Sequence, residues 1–307
     1  MPQESTINSN VGVRLKKTRI APTPSGFLHL GNILSFAITA GLARDTGASI
    51  LLRIDDLDRS RMRLEYVQDI FNTLDFLGIP WDTGPRDATD FLENWSQTNR
   101  LDIYNLGLQE LSNSELVYAC RCSRKDISSQ MLGDGGCKCR DEKIPLESPG
   151  VTWRWFPEMG QPISYHDFLM GPVTCPLAQE IQHFVVRKKD GMPSYQLASV
   201  MDDHHFGVDL IVRGADLHNS TLMQLHLSQS MQQSNFPRAH FLHHDLLRDS
   251  LGDKLSKSAG ATSVHFLRQR GKSPAYIFEL ISSMLDLQKK AYSWQTLYAA
   301  WEAENIR

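Results

Sequence analysis

No run of apolar residues in the chain approaches the roughly twenty needed to cross a bilayer as a helix, so no membrane partner is expected. The first ten residues, MPQESTINSN, lack an apolar core and an Arg-rich amphipathic stretch, so neither an export signal nor a transit peptide is expected. An excess of charge is missing too: 32 Lys and Arg stand against 35 Asp and Glu, a net of -3. That excludes the global basic field of many nucleic-acid-binding domains, while a local basic patch for RNA stays open. Cysteine is scarce, at 5 in 307 residues. Internal repeats and low-complexity segments are absent. A cytoplasmic location is therefore expected, where thiols stay reduced.

What is present suffices for one large core with a satellite, or for two domains, since 41% of the 307 residues are apolar. Residues 1–15 read as a mobile polar tail. Thr18–Ala21 reads as a strand, followed by a Pro/Gly turn over 22–26. A helix over 30–44, with Leu34, Ala37, Ile38 and Leu42 at helical spacing, ends near Gly47. Ile50–Ile54 is an apolar run of strand length, suited to a strand buried on both faces of a parallel sheet. Leu64, Val67, Phe71 and Leu74 form a second helix face, closed by Gly78. This alternation is the start of a doubly wound α/β fold with a parallel sheet.

The rhythm breaks between 101 and 180, which reads as an inserted subdomain with only short strands. The α/β pattern resumes with a strand over 181–186, a helix over 195–201, a strand over 209–213 and a helix over about 220–233. The predicted division is therefore 16–100 and 181–260 as the two halves of a nucleotide-binding domain around the insertion. A helical region, 261–307, closes the chain. Its helices start at Ser273-Pro274 and at Ser293, the latter with Trp294, Leu297, Tyr298 and Trp301 on one face.

Four of the cysteines cluster as Cys120-Arg121-Cys122 and Cys137-Lys138-Cys139. In a reducing compartment such a cluster suggests metal before disulfide. Four thiolates suit tetrahedral Zn²⁺ in a structural site, because four protein ligands leave no open position. Free structural cysteines or a redox pair are the alternatives. Gly133, Gly135 and Gly136 let the intervening loop turn, and Cys175 reads as a packed core residue. His204-His205 and His243-His244 read as cleft or structural residues, since neighbours on a strand point to opposite faces.

Two further segments carry chemistry. In His29-Leu30-Gly31-Asn32 a glycine at a helix N-terminus lets a phosphate approach free N–H groups and the positive dipole end, and His29 can donate to a phosphate oxygen. Alone, the segment reads as well as an ordinary strand-to-helix turn. Lys254-Leu255-Ser256-Lys257-Ser258 lies in a loop with Gly260, where mobile ammonium groups can follow charge that builds on a leaving pyrophosphate. A solvated basic loop is the plain alternative. Their order within an α/β pattern favours one ATP site with Mg²⁺ on the phosphates.

Arg19–Gly26 followed by HLGN, Arg53–Arg59 (RIDDLDR), Gly191–Ala198 with Asp202-Asp203-His204, and Ile211–Asp216 (IVRGAD) together resemble the class I glutamyl-tRNA synthetases in family order. The resemblance runs from about Arg19 to Ser258. It implies a Rossmann-like synthetase core that activates L-glutamate as an adenylate. His29, Lys254 and Lys257 are then the catalytic residues. Gly31, Asn32, Asp216 and Ser256 join them around ATP. The amino acid is held by Arg19, Ala21, Thr23, Asp55, Tyr195, Ser199 and Arg213. Arg19 and Arg213 offer bidentate forks for carboxylate, and Asp55 a partner for the ammonium. Arg53, Asp58 and Arg59 read as structural ion-pair partners.

Three positions depart from the family pattern: Asp55 stands where Glu is usual, Thr23 where Ser is usual, and Ser199 where Asn is usual. About fifty residues follow KLSKS, where the full-length enzymes carry a large anticodon-binding region. That length, the RGAD spelling and the cysteine cluster resemble the glutamyl-Q tRNA(Asp) synthetases, stand-alone paralogues of the catalytic part. Those use Cys-x-Cys, a later Cys and a Tyr for zinc, whereas here a fourth Cys appears. The resemblance implies transfer of the glutamyl group to the queuosine base of tRNA(Asp), by a chain expected to be monomeric. Another acceptor such as tRNA(Glu), or a catalytically silent tRNA-binding paralogue, are the alternatives.

Overall fold

A computed structural model describes residues 15–123, 126, 136–156, 162–176, 183–231, 234–247 and 263–306. Residues 1–14 of the expected tail, Gly133, Gly135, the start of the strand placed at 181 and the whole KLSKS segment lie outside the described residues, whereas Leu15, expected in the tail, is buried. In chain order the described elements are β1 (Lys17–Ile20), α1 (Leu30–Thr46), β2 (Ser49–Leu52), α2 (Leu64–Leu77) and α3 (Leu101–Asn113). Then follow β3 (Val117–Cys120), β4 (Thr152–Trp155), β5 (Ile163–Asp167), β6 (Gly171–Cys175) and β7 (Val185–Arg187). The remainder are α4 (Tyr195–His205), β8 (Leu210–Gly214), α5 (His218–Gln229), β9 (His240–His244), α6 (Val264–Gln269), α7 (Pro274–Met284) and α8 (Trp294–Asn305).

The chain divides into two compact units. The first takes Met1–Ser96, Leu210–Ala215 and Leu242–Arg307. Its strands β2, β1 and β8 lie side by side in that order and run parallel. Ile50, Leu51 and Leu52 are all at most 4% exposed, as a strand covered on both faces requires. Helix α1 is buried around most of its circumference, since Ile33, Leu34, Phe36, Ala37, Ile38 and Leu42 all lie inside. It stops at Gly47, whose φ of 73° is the left-handed conformation glycine adopts without penalty. α8 packs across α1 at Gly41. A Cβ there would lie 2.0 Å from Cγ of the Tyr298 ring, so only glycine admits this approach.

The second unit takes Gln97–Asp209 and Asp216–Phe241. β3, β4 and β7 form an antiparallel sheet. β5 and β6 form an antiparallel hairpin, and β5 pairs in parallel with the first two residues of β9. Helix α3 was not expected from the sequence. Gly107 interrupts its apolar stripe of Tyr104, Leu108 and Leu111. The reason is tertiary: Met201 Sδ and Met231 Cε stand 2.9 Å from where a Cβ of residue 107 would be. The strand expected over 181–186 begins at Val185 instead, and His183 just before it takes a φ of 57°. The helix expected over 195–201 continues to His205, and that over 220–233 runs 218–229. Cys175 is only half-buried on β6, an open strand, and not in the core. His204-His205 lie on α4, so the strand argument holds only for His243-His244 on β9.

Candidate functional site

The expected site residues fall in both units, and each group is described within its own. In the first unit the strand order reverses at β1, with β2 on one side and β8 on the other. Ligands of open α/β sheets bind outside the carboxyl ends of the strands at such a reversal. Arg19 and Arg213 sit near the carboxyl ends of β1 and β8 and are 5% and 3% exposed. Arg19 Nη1 donates to the Val212 carbonyl at 3.3 Å, which ties the first guanidinium to the strand that carries the second.

Beyond the strands, the Arg53 N–H donates to the Ile20 carbonyl and the Asp55 N–H to the Pro22 carbonyl, both at 2.9 Å. The segment with Asp55 is thereby laid along the segment with Ala21 and Thr23. Asp55 is clamped by Arg53: Nε donates to Oδ1 at 2.7 Å and Nη2 to Oδ2 at 3.1 Å. The pair is a buried one, since the Arg53 and Asp55 side chains are 2% and 8% exposed. Asp56 accepts from Arg59 and from Ser96, and Asp58 from Arg61.

His29 is the N-cap of α1, and its N–H donates to Asn32 Oδ1 at 3.0 Å. The imidazole folds over Gly31, where an added Cβ would lie 3.1 Å from both Cε1 and Nδ1. Gly31 thus makes room for the ring of His29 beside it, in addition to any close approach of a ligand. The turn is also anchored from the far side of the chain. The Val264 N–H donates to the Leu28 carbonyl at 2.9 Å, and His29 bridges Ser263. Phe27 stacks on His265, with ring centroids 3.8 Å apart and planes within 11°. His265 in turn meets the buried Asp69 at 2.8 Å, and Arg268 meets the same carboxylate at 2.6 Å. Sequence reasoning missed this cluster, whose members are remote in the chain and follow no spacing rule. Lys254, Ser256 and Lys257 lie outside the described residues.

In the second unit α4 carries Tyr195, 43% exposed, and Ser199, 1% exposed. Its N-cap Ser194 accepts from the Leu197 N–H. The helix is held by Asp202, fully buried, which accepts from Gln97, from both prongs of Arg100 and from Tyr104. Asp216 is exposed on a 3₁₀ turn, Ala215–Leu217, that precedes α5.

The cysteines are brought together as expected: all four sulfur atoms lie within 4.8 Å of one another. Cys122 Sγ is 3.3 Å from that of Cys137 and 3.6 Å from that of Cys139. A tetrahedral zinc with Zn–S of about 2.3 Å sets its sulfurs about 3.8 Å apart, so the donor set fits a zinc ion in number, type and spacing. Tyr118, on β3, accepts from the Cys137 N–H at 3.2 Å and packs with the cysteines without supplying a ligand to the set. Burial pushes the Tyr118 hydroxyl up to about 12. Burial also raises the Cys122 and Cys137 thiols, the former further through its bonds to Cys137 and Cys139. At Cys120 burial acts in the same sense, yet Arg154 and the Cys122 backbone outweigh it and hold the thiol below its ordinary value.

A family model described as tRNA synthetases class I (E and Q), catalytic domain, matches residues 16–285. A glutamyl-Q tRNA(Asp) synthetase of Methylococcus capsulatus is 35% identical over 247 residues, 80% of this chain and 77% of its own length. Glutamate–tRNA ligase 2 of Syntrophus aciditrophicus is 30% identical over 280 residues, which span 87% of this chain but 56% of the ligase. The crystal structure of the glutamate–tRNA synthetase from Elizabethkingia anophelis superposes with a TM-score of 0.72 at 21% identity, covering 92% of this chain and 65% of that one. At that identity the likeness speaks to fold. The chain belongs to the class I tRNA synthetases of the E and Q type, a family of ligases, and carries their catalytic domain.

Proposed function

We propose that this chain activates L-glutamate with ATP and transfers the glutamyl group to the queuosine base of tRNA(Asp). The observation that carries the reading is the pair of buried arginines on adjacent parallel strands, Arg19 and Arg213, beside the Arg53–Asp55 clamp. Glutamate has two carboxylates and one ammonium, and this arrangement offers two guanidinium forks and one carboxylate. Asp55, held in place by Arg53, supplies the carboxylate for the ammonium. Motif order adds Ala21, Thr23, Tyr195 and Ser199 around the amino acid.

In the first step an α-carboxylate oxygen of glutamate attacks the α-phosphorus of ATP in line, and the bond to pyrophosphate breaks. Such a step needs positioning and charge stabilisation more than a base. His29 at the α1 N-terminus serves the phosphates from one side. Lys254 and Lys257 stabilise the charge that develops on pyrophosphate, and Gly31, Asn32, Asp216 and Ser256 complete the nucleotide's surroundings. Mg²⁺, when bound with ATP, supplies neutralising charge on the phosphates. In the second step a hydroxyl of the acceptor attacks the mixed anhydride and AMP leaves. The four cysteines would hold a structural zinc, which would take no part in either step.

The reading is tested by ATP–pyrophosphate exchange without tRNA, one amino acid at a time, followed by transfer of labelled glutamate to tRNA(Asp) with and without queuosine. Exchange with glutamate and transfer only to the queuosine-bearing tRNA is the expected result. Transfer to tRNA(Glu) instead overturns the acceptor. No exchange under any condition overturns the activation itself.

A further inference from the structure

The antiparallel register of β3 and β4 sets Tyr118 opposite Arg154 and Cys120 opposite Thr152. Residues directly opposite in such a pair share a face, as do residues two apart on one strand. Arg154 therefore lies on the face that carries Cys120, as its diagonal neighbour and within reach of a long side chain. The guanidinium is fixed at one end, where Nη1 donates to the His183 carbonyl at 2.9 Å. Its Nε is buried and finds no hydrogen-bond acceptor among the described residues. Leaving a charged N–H in that condition is costly, so the position points to an anionic acceptor that the fold is built to receive.

Cys120 is itself wholly buried, in a cluster with Tyr118, Cys137 and Cys139. Four deprotonated thiols around one divalent cation leave roughly two surplus negative charges in that apolar setting. We propose that Arg154 is the positioning residue and counter-charge of the tetrathiolate metal centre, donating to the Cys120 sulfur and offsetting part of its surplus charge. The inference rests on the zinc reading and assigns a role to a residue that binds no metal itself. Arg121 offers an internal comparison: it lies between two of the ligands in sequence and is exposed. Being one position from Cys120, it falls on the opposite face of the strand's continuation.

The test is competition of the purified full-length chain against a chromophoric zinc chelator, together with the thiolate-to-metal absorption of the Co²⁺-loaded form. Arg154→Met is expected to weaken zinc binding about tenfold or more and to shift the Co²⁺ charge-transfer band. Arg154→Lys, which keeps the charge, is expected to recover most of the affinity, and Arg121→Met to bind as the parent does. The lysine variant also serves if the methionine variant does not fold. Equal loss in Arg121→Met and Arg154→Met, or parent-like affinity in Arg154→Met or a lysine variant no tighter than methionine, overturns the role of Arg154 and leaves the metal site intact. A parent chain that takes up neither zinc nor cobalt overturns the metal site and the Arg154 role together.

Discussion

Arg53 and Asp55, two positions apart after β2, face each other in a two-pronged ion pair at 2.7 and 3.1 Å that is almost wholly shielded from water. Breaking one side of such a pair leaves the other charge buried without compensation. Arg53→Met is expected to destabilise the protein by about 3–5 kcal/mol, read from urea unfolding. Asp55→Glu, which lengthens the carboxylate by one methylene, is expected to change the KM for glutamate by about fivefold or more while the urea midpoint moves little. Equal effects of the two substitutions on stability and none on KM would remove Asp55 from the amino-acid site.

Gly41 is where α8 meets α1, with the Tyr298 ring occupying the space of a side chain. Tyr298 is 1% exposed. Gly41→Ala is expected to cost about 1–3 kcal/mol through overpacking, despite the better helix propensity of alanine. A melting temperature at or above that of the parent would contradict the close approach.

The stack of Phe27 on His265, backed by Asp69, ties the residues just after the KLSKS segment to the turn that carries His29. A small misplacement far from the reacting atoms costs rate more than binding. His265→Ala is therefore expected to lower the exchange rate about tenfold or more, with the KM for glutamate within a factor of about two. A rise in KM alone, at unchanged rate, would count against a positioning role.

Burial holds the His226 imidazole below its ordinary value, and burial together with His166 does the same at His240. The unfolded chain then binds these protons more readily than the folded one. Their contribution to stability is complete above the unfolded value of about 6.5 and is lost as pH falls from there through the depressed folded value. His226→Gln is expected to flatten the fall in urea midpoint below about pH 6.5, with little change in slope above it. An identical pH profile in the variant would show that His226 does not drive the acid loss.

Local patterns in the sequence were enough for much of the first unit. The helix from Leu30 to the Gly47 cap is set by near-neighbour rules of spacing and backbone freedom and appears where those rules put it, while the strand expected over Ile50–Ile54 is Ser49–Leu52. The four cysteines were legible for the same reason, because two Cys-x-Cys pairs supply most of a site before the chain folds. Tertiary structure decided what depends on residues far apart. Helix α3 was hidden by Gly107, whose meaning appears only when Met201 and Met231 pack against it. The stack of Phe27 on His265, the arginine opposite Tyr118 and the four hydrogen bonds that converge on Asp202 obey no sequence spacing. Periodicity records which face of an element is apolar. Which partner each buried charge finds is set by strand register and helix packing, which arise only when the whole chain closes around it.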